Sequence, residues 1–370
     1  MTSLFGRLLF RDVVFWLSLG LTMIAVAVPP LRYSIYVVPF LVVLALLGDG
    51  DFRIGDELKP FLIFICAGLV MAPMATAEGM KDVFFTTAGV SIALLITTPA
   101  MKTRRLFVCT LATGLIYFTF SGGLNQSVSL DVVNSTSPFE SNFGFLFGLL
   151  AVFALIGNDK WLFGICLALS ILGLKRIAVL AALVAALFWL IGERRGKWIL
   201  NPPVMILANI SVAGIAVMYG GGLLDGPIRQ LTGQSANQLG QGRQALLSVP
   251  AREMMRRPLE FALIGAGPGS TYELSRAGTS EFSGRINLHS DILKVLYEYG
   301  LLVFLLFIAS MYRSSRYEMR VAFLFLNVLF VTDNTLIYAS VLFVFMVGAR
   351  LMSDPPPSSL AGSMSSTRWR

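Results

Sequence analysis

Charge is scarce in this chain: Asp, Glu, Lys and Arg together make up 14% of its 370 residues, against about 25% in an ordinary soluble domain. That shortage excludes a protein whose surface is mainly wetted. Histidine is reduced to a single residue, His289, and the three cysteines, Cys66, Cys109 and Cys166, each sit inside an apolar run. Neither a disulfide framework nor a metal site of thiolates is compatible with that placement. Internal repeats are missing as well, which weighs against a transporter assembled from inverted halves.

What the chain has instead is hydrocarbon, with 56% hydrophobic residues and 28 Phe, mostly in long apolar runs. A spanning helix needs roughly 20 such residues, and the rule places about twelve spans. They fall near 13–31, 33–48, 58–76, 83–101, 106–122, 142–157, 161–175, 176–192, 203–222, 289–312, 319–334 and 335–352. The first run has Arg7 and Arg11 before it and Ala25 and Ala27 near its end, as a cleaved signal peptide would. Pro29 and Pro30 follow at once and another apolar run resumes at Tyr33, so a retained first hairpin is expected.

The formal net charge of +8 is spread in short clusters between the runs and not along one soluble face. That pattern indicates membrane topology and no nucleic-acid partner. With the N-terminus in the cytoplasm, the cytoplasmic connections hold clusters such as Arg104–Arg105, Arg194–Arg195 and Arg313–Arg316, while the short outer ones hold only Arg32, Lys81, Lys175 and Arg176. Basic residues are retained on the cytoplasmic side, so this threading is the expected one. The expected fold is therefore all-α and polytopic. It has transmembrane helices 1 to 9 in 1–222, a hydrophilic outer loop with short helices in 223–288, helices 10 to 12 in 289–352, and a disordered cytoplasmic tail in 353–370.

Several residues stand out chemically. Lys175 and Arg176 interrupt an apolar stretch from Trp161 to Ile191. Ionisable groups at such depth usually face a cavity or a partner, although a basic pair at a tight turn can also snorkel to the surface. The outer loop holds Arg229, Arg243, Arg252, Arg256, Arg257, Arg276 and Arg285 and no Lys. A guanidinium grips phosphate with a planar fork, which suits diphosphate recognition beside a membrane. Glu253 lies four residues before Arg257, so Arg252, Arg256 and Arg257 are open to scaffold as well as binding roles. The run Gly265-Ala266-Gly267-Pro268-Gly269 reads as a plain turn re-entering the membrane rather than a phosphate cradle, since no strand precedes it. His289, where the loop meets the tenth span, is a candidate base or a hydrogen-bonded anchor. After it, Asp291, Lys294 and Glu298 share one helical stripe and could neutralise one another. Asp333 and Asn334 end the eleventh span without an assigned partner.

In order and spacing these residues resemble the O-antigen ligase and polymerase superfamily of bacterial membrane glycosyltransferases. The series runs from Asn142-Phe143-Gly144 through Lys175-Arg176, Gly242-Arg243, Arg257-Pro258-Leu259 and the Gly265–Gly269 turn to Leu288-His289-Ser290-Asp291 and Tyr297-Glu298-Tyr299-Gly300-Leu301. It covers roughly 140–312; the first five spans match in hydropathy alone.

The resemblance implies a GT-C-like enzyme of the bacterial inner membrane, with both termini cytoplasmic and the active site periplasmic. It implies a sugar donor carried on undecaprenyl diphosphate, with Arg176 and Arg243 as diphosphate contacts and His289 as base. Lys175, Arg252, Arg256, Arg257, Arg285, Asp291, Tyr297 and Glu298 become substrate-binding candidates, and a chain-length regulator and a flippase become possible partners. Ligases of this kind more often show His-Asn at this point; His289-Ser290-Asp291 departs from that and matches the polymerase branch. The expected activity is polymerisation of lipid-linked repeat units into O-antigen or exopolysaccharide, without cofactor or metal. A ligase acting on lipid A core and a lipid-linked saccharide flippase are the alternatives.

Overall fold

The computed structural model describes residues 2–49, 54–95, 101–120, 142–173, 175–240, 242–278 and 288–353. Every regular element among them is helical. The chain begins with α1 (Thr2–Ala27), α2 (Val37–Asp49), α3 (Lys59–Val70), α4 (Ala77–Val90) and α5 (Thr103–Phe120). It continues with α6 (Phe143–Ile156), α7 (Lys160–Leu172), α8 (Arg176–Ile191), α9 (Glu193–Ile199) and α10 (Pro202–Gly220). The hydrophilic segment forms α11 (Asp225–Thr232), α12 (Ala236–Leu239), α13 (Arg243–Arg256), α14 (Pro258–Leu263) and α15 (Ser270–Gly278). The last three are α16 (Asp291–Tyr312), α17 (Tyr317–Thr332) and α18 (Ala339–Ser353).

Four helical stretches are long and apolar enough to cross a membrane: Phe10–Ala27, Pro30–Gly48, Pro202–Gly220 and Asp291–Tyr312. Lys59–Val70, Phe143–Ile156, Lys160–Leu172, Arg176–Ile191 and Ala339–Met352 are apolar but shorter. The expected run 83–101 is not one straight helix, because α4 already ends at Val90 and a 3-10 turn takes over at Ser91–Leu94. The expected tail beyond Ser353, and Arg285, lie outside the described residues.

Local chemistry explains where the helices start. Asp159 accepts from Leu162 N at 3.2 Å and caps α7; Asn201 accepts from Val204 N at 2.9 Å and caps α10, where Pro202 and Pro203 fit the first turn. Helix α6 is apolar on all sides and buried continuously from Phe143 to Ala154, as a central helix should be. It packs against α5, α7, α8, α17 and α18. At the periphery Leu47, Val70, Trp161 and Leu190 are each more than three-quarters exposed. Water would penalise such a surface and hydrocarbon would not.

Helix α16 is broken where the sequence suggested continuity. Gly300 has φ 79 and ψ 173, a conformation open to glycine and strained for other residues. The break frees the carbonyls of Tyr297 and Glu298, which accept from Ala266 N and Gly267 N, both at 2.9 Å. A Cβ on Gly265 would lie 2.6 Å from Glu298 O and Gly300 N, so the glycine-rich turn approaches α16 backbone to backbone. Pro268 O also accepts from Thr76 N at 2.9 Å. The turn is thus wedged between the start of α4 and the break in α16.

Candidate functional site

His289 is the last residue before Ser290, the N-cap of α16, whose hydroxyl accepts from Leu293 N at 3.3 Å. The helix has therefore not begun at the histidine. Its φ of 53 is unusual for a residue with a side chain, and the imidazole stands apart from the stripe of Asp291, Lys294 and Glu298. It is half-buried, with Nδ1 4.0 Å from Asp333 Oδ1. That distance is too long for a direct hydrogen bond, and it becomes an ion pair only when the ring is protonated.

Asp333 is held firmly at the C-terminus of α17. Its Oδ1 accepts from Tyr338 Oη at 3.0 Å and from Asn334 N at 2.8 Å, and its carbonyl accepts from Asp291 N at 3.2 Å. This gives Asp333 the partner that the sequence could not supply. Three charges act on the imidazole: Asp333 favours its protonated form, while Arg243 and Lys175 oppose it. Burial is the largest influence, and together with the two cations it holds the His289 pKa below the ordinary imidazole value. The ring is consequently neutral at neutral pH and able to accept a proton.

The basic residues reach this place from two elements. Arg243 opens α13 just after Gly242, whose left-handed φ of 82 turns the chain into the helix. Lys175 precedes α8 and lies beside Phe145, its ammonium 5.7 Å from the ring centroid. Of the Lys175-Arg176 pair, Lys175 is thus the residue whose charge bears on His289; Arg176 is exposed in the first turn of α8. Arg252, Arg256 and Arg257 are exposed on or just after α13. Glu253 lies 3.5 Å from Arg256 and 3.9 Å from Arg257, the scaffold arrangement that the spacing allowed.

The other nominated residues lie in the interior. Asp291 is 1% exposed and accepts from Leu336 N at 2.8 Å, clamping α16 to the 3-10 turn Thr335–Ile337. Glu298 is fully buried and accepts from the hydroxyl of Thr271 and, at 3.4 Å, from its N–H, so it caps the first turn of α15. Tyr297 is buried in α16 beside the charges of Glu253 and Arg257. Lys294 donates to Asp82, which also accepts from Tyr272 Oη at 2.7 Å. Removing one member of such a buried pair strands a charge, at a cost of about 3–5 kcal/mol. These residues pin the hydrophilic segment to α4 and α16, and that is the contact set the structure gives them.

A cavity of about 480 Å³ opens next to this constellation. Lys175, Arg32, Tyr338, Asn142, Tyr117 and Ser340 provide its polar lining, and Phe85 and Phe143 its aromatic walls. Arg32, from the 3-10 turn Pro29–Tyr36, was legible in the sequence only as a topology marker. No family model matches the chain, and neither the curated proteins nor the solved structures contain a match.

Proposed function

We propose that the chain is a membrane glycosyltransferase that joins oligosaccharide repeat units carried on undecaprenyl diphosphate. The reading places 223–288 and His289 on the periplasmic side of a bacterial inner membrane, with about twelve crossings of the bilayer. The observation that carries it is the half-buried imidazole of His289, its Nδ1 4.0 Å from Asp333 Oδ1 and under the electrostatic influence of Arg243 and Lys175.

In this mechanism His289 takes the proton from an acceptor hydroxyl as that oxygen attacks the anomeric carbon of the donor. The bond from that carbon to the diphosphate breaks, and the electron pair leaves with the diphosphate. Arg243 and Arg176 meet the charge that builds on the leaving group, which lowers the barrier because the charge is larger in the transition state. Asp333 fixes the imidazole and stabilises it once protonated. The cationic side chains supply the electrostatic help that a divalent ion would otherwise give.

A second reading is favoured by the buried cluster of Asp82, Lys294 and Glu298, whose interior charges also suit a lipid-linked saccharide flippase. Ligation of finished polymer to lipid A core would use the same donor chemistry with another acceptor. Purified protein in vesicles, supplied with lipid-linked repeat units, a lipid A core acceptor and a chelator, separates these readings. New glycosidic bonds are expected from the wild type with chelator present, and a loss of roughly 10²–10⁴-fold in His289→Ala. Arg243→Ala should also lose most of its rate. Translocation without bond formation would favour the flippase, transfer only to a lipid A core the ligase, and full activity in His289→Ala would remove the site.

A further inference from the structure

The cavity beside Tyr338 is electrostatically one-sided. Among the described residues its lining includes two cations, Arg32 and Lys175, and no carboxylate. The Arg32 guanidinium is steadied over the Tyr33 ring, 4.7 Å from its centroid, and donates to Tyr33 Oη at 2.6 Å. A volume of about 480 Å³ is that of a head-group site rather than a packing defect. Neither His289 nor Arg243 lines it. Tyr338 is the shared wall, lining the cavity while its hydroxyl donates to Asp333 on the other side.

A second, smaller hollow of about 200 Å³ lies along α5, α6 and α7, lined by Leu111, Leu115, Phe118, Phe147, Leu169 and Leu172. Phe143 lines both spaces. A cationic chamber that meets an apolar groove at one aromatic ring has the shape and polarity of an amphiphile with an anionic head and a hydrocarbon tail.

We propose that the chamber and groove together bind a second lipid-linked diphosphate, the acceptor. Its phosphates sit between Arg32 and Lys175, and its hydrocarbon chain lies past Phe143 along α5–α7. The proposal rests on the polymerase reading. In that reaction the donor's diphosphate is the leaving group, so it belongs at the reacting atoms with Arg243 and His289. The acceptor's diphosphate is separated from the attacking hydroxyl by the acceptor's own saccharide. Its place is therefore a cationic site near His289 but not lined by it.

The test uses the full chain in vesicles, a polyprenyl diphosphate carrying a diazirine in its tail, and a phosphatidylglycerol carrying the same group. The diphosphate probe is expected to label peptides containing 111–118 and 169–172 at least tenfold over the phospholipid probe. Leu115→Trp, which fills the groove, should abolish that labelling. In the polymerisation assay Arg32→Gln should raise the KM for the acceptor about tenfold and leave the donor KM within twofold, with an unchanged thermal midpoint. Equal labelling by both probes, labelling elsewhere, or an Arg32→Gln variant with unaltered acceptor KM overturns the proposal. Labelling elsewhere by a protein that still polymerises defeats the acceptor site and leaves the enzymatic reading standing. Groove labelling without polymer formation defeats the enzymatic reading, and with it the assignment of the bound lipid as acceptor.

Discussion

At the scale of single residues, the proposed mechanism gives the chemistry to the imidazole of His289, and its neighbours set when it could act. As a base it must be neutral, so the rate should fall as pH drops through its pKa. Burial, Arg243 and Lys175 lower that pKa and Asp333 raises it, with the lowering influences dominant. The acid limb of kcat/KM is therefore expected below pH 6.5, the ordinary imidazole value. Removing one of the two opposing cations in Arg243→Gln should move the limb upward, and Asp333→Asn should move it downward. Measured kcat/KM against pH in the three proteins checks this; a limb that both variants leave in place would detach His289 from the proton transfer. The sequence disclosed His289 through its solitude and Lys175-Arg176 through their interruption of an apolar run. It did not disclose the partner of Lys294, because Asp82 lies 212 residues away and no local pattern links them. Arg32 was hidden for another reason: one cation among few on the sparsely charged side reads as an exception to a charge rule, and only folding brings it to the rim of a cavity.

At the scale of elements, the break in α16 is what brings the hydrophilic segment to the bundle. The freed carbonyls of Tyr297 and Glu298 bond to the glycine-rich turn, and Glu298 caps α15. The apolar helices were foreshadowed by the long apolar runs, whereas the caps that start α7 at Asp159 and α16 at Ser290 emerge only from the structure. The break was not, since a lone glycine inside an apolar run is ordinarily tolerated within a helix. Gly300→Ala forces an L-residue into φ 79 and should cost about 1–3 kcal/mol. A lower thermal midpoint in detergent is expected, together with faster proteolysis within 258–278. A midpoint and cleavage pattern equal to the wild type would show that the turn does not depend on the break.

At the scale of the whole molecule, the two ends of the bundle differ in character. One end gathers His289, Lys175, Arg243 and the cationic chamber. The end near the C-terminus of α16 holds a buried pair, Arg350 Nε 2.9 Å from Glu57, beside Asp56 and Arg316. In the expected threading the two groups fall on opposite sides of the membrane; the count of crossings is hard to read, because α7 and α8 are 13 and 16 residues long, short of the roughly 20 that a full crossing requires. The central claim is that the His289 end faces the periplasm. Its most direct test is impermeant thiol labelling in intact cells, with Cys66, Cys109 and Cys166 replaced and one cysteine introduced at Gln234, in the α11–α12 turn, or at Arg194, in α9. The account predicts that the cysteine at 234 labels before the inner membrane is permeabilised and the one at 194 only afterwards. The reverse order would put the imidazole and its cations on the cytoplasmic side and contradict the account.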